Sequence, residues 1–175
     1  MNKVIESIEN RRSIRKYRPD MIPDDIIHQI VEAGTYAPTA MNKQSPIIVA
    51  VTNREIRDRL SKANAKIGGW KDDFDPFYGA PAVLIVLADK QYINHVYDGS
   101  LVMGNLMNAA HALGIGSCWI HRAKQEFEMP EWKEWLAGLG IKGEYEGIGH
   151  CILGYPEGEK PAAPQRKENW VYYVK

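Results

Sequence analysis

The sequence predicts an α+β fold in which one sheet is covered by helices. Three observations carry that expectation: short continuous apolar runs rich in β-branched residues, segments with apolar residues at helical spacing, and an order of the two that does not alternate regularly. With 175 residues, 45% of them hydrophobic, the chain is long enough for one domain with a real core and short for two.

Taken in order, residues 24–34 open with Asp24 and Asp25 in a first turn, place Ile26, Ile27, Ile30 and Val31 on one helical face, and reach Gly34 near the stop. "SPIIVAVT" (45–52) and "APAVLIVLAD" (80–89) are bounded by proline and charge, as buried strands are. The stretch between them, "NREIRDRLSKANAKI", reads as helix. Residues 95–113 form a longer helix, apolar or small nearly all the way round, which belongs in the interior or in a subunit interface. "GSCWI" is a third strand, "KQEFEMPEWKEWLAGL" a mostly polar helix broken near Pro130, and 145–155 a last strand. The proline-rich "PEGEKPAAPQ" points to an irregular, extended tail. The expected organisation is one domain over 1–175, with 156–175 as a C-terminal arm.

Lys plus Arg and Asp plus Glu both number 22, so no overall field draws the chain to nucleic acid or to an anionic membrane. The longest apolar run, residues 80–88, is far short of a membrane span, and the first residues mix charges of both signs where a signal peptide has an apolar core. The expectation is a soluble, cytoplasmic protein. Cys118 and Cys151 lie in apolar strand-like stretches and read as buried small hydrophobes. The five histidines are scattered singly, and no metal site is expected. Gly114 and Gly116 close a helix and precede a strand, the reverse of a dinucleotide fingerprint.

Two stretches carry chemistry. "RRSIRKYRPD" (11–20) packs five basic side chains into ten positions, and Arg11, Arg12, Ser13 and Arg15 combine guanidinium forks with a hydroxyl, a set suited to phosphate oxygens. A solvated junction between two helices is the plain alternative. "YAPTAMNKQSP" (36–46) supplies uncharged donors and acceptors, as the imide edge of a heterocycle needs, or is an ordinary loop. Residues 64–80 hold Trp70, Phe74, Phe77 and Tyr78, which either cover a substrate or plug the sheet edge.

In sequence these two motifs, "DGSLVMGNLMNAAHALGIGSCWI" and "GHCILGYPEGEKPAAPQRKE" resemble the nitroreductase family of FMN-dependent oxidoreductases, from about Ile5 to Lys167. The resemblance implies a mixed, mainly antiparallel sheet flanked by helices, two protomers interlocked through the long helix and a swapped arm, and FMN at their interface. It implies that Arg11, Arg12, Ser13 and Arg166 hold the FMN phosphate, with Arg15 by the pyrimidine edge of the ring. Pro38, Thr39, Ala40 and Asn42 match the loop that the partner lays on the flavin, and Ile120, His121 and Arg122 the backbone passing its N5 side. Asn64 and Lys66 fall where longer relatives bring further residues and are not counted in the site. The implied activity is hydride transfer from NAD(P)H to nitroaromatics, quinones or similar electron-poor small molecules in a ping-pong cycle, with the flavin and no side chain as the reacting group. A non-catalytic FMN carrier or redox sensor, and same-fold enzymes of dehalogenation or flavin fragmentation, are the alternatives; a nucleic-acid reader is a distant third.

Overall fold

The computed structural model describes residues 2–175. Its helices are α1 (Lys3–Asn10), α2 (Asp24–Thr35), α3 (Arg54–Gly68), α4 (His95–Ala112), α5 (Ala123–Glu128) and α6 (Pro130–Gly138). The strands are β1 (Pro46–Val51), β2 (Ala82–Asp89), β3 (Gly116–Ile120) and β4 (Tyr145–Gly154), in the order β1-β2-β4-β3 with every ladder antiparallel.

The central strand β2 explains the layers. Its alternate residues Val83, Ile85 and Leu87 pack with Leu60, Phe127, Trp132 and Leu136 beneath α3, α5 and α6. Ala82, Leu84, Val86 and Ala88 face the other way, onto Ile27, Ile30, Met103 and Leu106 of α2 and α4. A strand apolar on both faces needs a helical layer on each. The β2–β4 register shifts between Val86 and Leu87, which pair with Gly149 and Gly147. A Cβ on Gly147 would lie 2.2 Å from the Ala123 carbonyl oxygen, so this glycine lets α5 sit directly on the strand.

Several sequence expectations are refined. Gly34 lies near the stop of α2, one residue inside its end, where a Cβ would meet Leu106 of α4 at 2.5 Å. The break at Pro130 yields two helices, and their polar composition conceals Phe127 and Trp132, both fully buried. Both cysteines are free and buried, and burial pushes the Cys151 thiol up to about 12, with Cys118 adding to the effect. His150 is an interior histidine, its Nε2 2.9 Å from Oε2 of the equally buried Glu126. No helix among the described residues is long and apolar enough to cross a membrane.

Candidate functional site: an arginine groove, a strained loop and a strand end

From α1 the chain runs along the edge of the sheet as a strap. The Ile14 N–H donates to the Ser117 carbonyl at 2.9 Å, beside the isolated parallel bridge of Ser13 with Ser117. Farther on, the Arg18 N–H donates to Tyr155 O at 2.9 Å and the Glu157 N–H to Lys16 O at 3.0 Å. Ile14 and Tyr17 are buried, which anchors the strap and turns the side chains between them outward. The same bonds tie the strap to the start of the C-terminal arm, whose residues are exposed from Pro156 on.

Between strap and arm lies a groove of about 330 Å3 lined by Arg11, Arg12, Ser13, Arg15, Pro161, Ala162, Pro164 and Arg166. It holds four guanidinium groups, one hydroxyl and no carboxylate. Arg12 Nη1 is engaged by the carbonyls of Glu9 and Arg11, each at 2.7 Å. Arg12 Nε and Arg11 Nη1 are buried without a partner. Buried cationic donors left unpaired are costly, and an oxyanion between them removes the cost. The donor set therefore fits the phosphate of FMN. A neighbouring recess of about 220 Å3, which Arg12 also lines, holds His111 and Lys160. Desolvation, then the charges of Lys160, Arg11 and Arg12, hold the His111 imidazole below its usual pKa.

Pro38, Thr39, Ala40 and Asn42 line neither recess. They belong to a loop in which Met41, Asn42 and Gln44 have φ of 50°, 54° and 50°, a left-handed backbone that non-glycine residues adopt at a cost. Asp98, buried on α4, holds the loop in place, accepting from the Ala40 N–H and the Ser45 hydroxyl, both at 3.0 Å. Sequence reading missed Asp98; its charge inside an otherwise apolar and small-residue helix was the available signal.

At the far end of β3, Ile120 is buried, so only its backbone is offered to a ligand. His121 and Arg122 line a third recess, of about 240 Å3, with Trp119, Lys124 and Glu146 among others. Asn64, fully buried on α3, donates its amide to the His121 carbonyl at 2.8 Å, which fixes the strand end. Of the aromatic segment, Phe77 is buried in the core, whereas Trp70 and Phe74 are 40% and 38% exposed. One part plugs the sheet and another faces outward. The structure thus unites Arg11, Arg12, Ser13, Arg15 and Arg166, and keeps the 38–42 loop and the 120–122 strand end as separate elements.

A model of the nitroreductase family matches residues 8–68 and 70–158. Two archaeal proteins named as NADH dehydrogenase/NAD(P)H nitroreductase are each 32% identical: that of Archaeoglobus fulgidus over 91% of this chain and 89% of its own length, that of Methanothermobacter thermautotrophicus over 66% of this chain and 59% of its own. Among solved structures, a nitroreductase from Bacteroides fragilis with bound FMN superposes over 100% of both chains with a TM-score of 0.89 and 30% identity. With the antiparallel sheet between two helical layers and the arginine groove at its edge, these matches show that the chain belongs to the nitroreductase family.

Proposed function

We propose that this protein binds FMN and, as a homodimer, passes electrons from NAD(P)H to electron-poor small molecules such as nitroaromatics and quinones, donor and acceptor using one face in turn. The observation that carries the reading is the groove with four guanidinium groups and two buried, unpartnered nitrogen atoms. FMN when bound supplies the hydride chemistry, and the chain supplies position and charge.

Arg11, Arg12, Ser13 and Arg166 bind the phosphate by charge-assisted hydrogen bonds, with Lys167 beside them on the arm. Arg15, exposed on the same strap, brings positive charge to the pyrimidine edge, where it favours the anionic reduced ring. The 38–42 loop has no contact to make in its own groove and fits the role of a segment laid on the partner's flavin, with the Asn42 amide as its hydrogen-bonding group. The backbone of 120–122, held by Asn64, borders the N5 side.

Dimerisation is supported by apolar surface with no cover inside the chain. Val4, Ile5 and Ile8 of α1 and Tyr97 and Leu101 of α4 are exposed, and a trough of about 510 Å3 runs between α1, Ala33 and α4.

The test is an absorption spectrum of the purified protein, then anaerobic titration with NADH and NADPH and re-oxidation by a nitro compound. The expected result is bound flavin, bleached by at least one donor and restored by the acceptor, with parallel double-reciprocal lines in steady state. Arg11→Ala weakens FMN binding by about tenfold or more, the worth of one charge-assisted bond. A colourless protein that takes up no added FMN overturns the reading, and flavin that no donor reduces points to the carrier instead.

A further inference from the structure

The sequence contains nine arginines, and the structure sorts them by partner. Arg18 pairs with Asp20, Arg54 with Asp58, Arg57 with Asp58 and Asp75, and Arg59 with Glu131. Among the described residues the other five have no carboxylate partner, and four of these line the phosphate groove. The fifth is Arg122.

Arg122 is built into place. Its φ of 79° is left-handed, and its guanidinium carbon lies 4.2 Å from the centroid of the Trp70 ring. Trp70 is fixed in turn: a Cβ on Gly68 would come within 2.7 Å of the indole, and Phe74 meets it edge-on at 5.0 Å between centroids. Asn64 locks the preceding carbonyl. In the recess beside Arg122 the only carboxylate is Glu146, already engaged by Lys124 at 3.2 Å and by His95 at 3.4 Å. What remains is a preorganised guanidinium on a half-exposed indole at the strand end assigned above to the N5 side. A guanidinium that lacks an acid partner and is held over an aromatic platform suits a flat molecule bearing an oxyanion.

We propose that Arg122 and Trp70 bind the oxyanion of an aromatic substrate, the guanidinium pairing with a carboxylate or phosphate while the indole lies against the adjoining ring. The proposal deepens the reading above and rests on it. The oxyanion belongs either to the acceptor or to the donor, and binding without turnover distinguishes the two.

Calorimetric titration of the oxidised holoenzyme compares benzoate with benzamide, and NADP+ with NAD+. The member carrying the additional oxyanion in at least one pair, benzoate or NADP+, binds about tenfold tighter in the unaltered protein. In Arg122→Asn that ratio falls to about one while affinity for benzamide and for NAD+ is kept, the FMN content of the variant being measured alongside; asparagine tolerates the left-handed backbone, so the fold is kept. Arg122→Lys retains much of the ratio, which a merely structural role does not predict, and Trp70→Leu weakens both members of the pair. Collapse of the benzoate ratio assigns the site to acceptors, and collapse of the NADP+ ratio to the donor. Ratios near one in the unaltered protein, or unchanged in Arg122→Asn with flavin still bound, overturn this proposal alone. A protein without flavin overturns the function and this proposal with it.

Discussion

His111 reports the charge of the arginine groove. Its imidazole is held below the usual pKa by desolvation and by Lys160, Arg11 and Arg12. Neutralising those cations favours the imidazolium, so titration by NMR should show its pKa rising when inorganic phosphate or FMN binds, and not rising in Arg12→Ala. Asp98 is the second telling residue. Asp98→Ala leaves the Ala40 N–H and the Ser45 hydroxyl without their acceptor and should destabilise the fold by about 1–3 kcal/mol in urea denaturation. Hydrogen exchange at Ala40 should rise with it, because the strained 41–44 backbone loses its tether. Arg11, Arg12, Ser13 and Arg15 stood out as a cluster because they are neighbours in sequence, whereas Arg166 joined them only through the family resemblance. Asp98 and Asn64 were not legible, since their partners lie 58 and 57 positions away and only the packed sheet brings them together.

At the scale of elements, the segment after α3 depends on one carboxylate. Burial alone would raise the pKa of Asp75, but hydrogen bonds from Arg57, Ser61 and the Gly79 N–H outweigh it and hold the group below the usual carboxylate range. A depressed folded-state pKa means the stabilisation is complete above the unfolded value of about 4 and is lost as pH falls through the lower folded value. Acid denaturation of Asp75→Asn should therefore show a shallower loss of stability below about pH 4 than the unaltered protein, from a lower starting stability. Elements with a strong internal signal were readable: β2 because seven consecutive apolar residues suit burial on both faces, α4 because small residues cluster on it. α1 was implied only as one side of the 11–20 junction, since eight residues with three apolar positions among charged neighbours carry a short signal. The paired helices α5 and α6 looked surface-bound because Phe127, Trp132 and Leu136 are diluted by charged neighbours.

For the whole molecule, the exposed apolar faces of α1 and α4 are the surface on which the proposed dimer, and with it cofactor retention, is tested. Ile8→Asp places a charge on that face; if the proposed dimer forms there, light scattering should show a shift towards monomer, with FMN content falling in parallel as the proposed place of the flavin at the seam requires. The backbone bonds joining Lys16 and Arg18 to Glu157 and Tyr155 have a further consequence. Of the two sides of the proposed phosphate clamp, the Arg166 side is carried by the exposed arm alone, whereas Ile14 and Tyr17 anchor the other to a sheet that ends at Gly154. On the proposed function, a protease that trims the arm beyond Tyr155 would thus remove Arg166 and weaken FMN retention while the sheet stays folded, and bound FMN should slow the cut, making the arm a release catch for the cofactor.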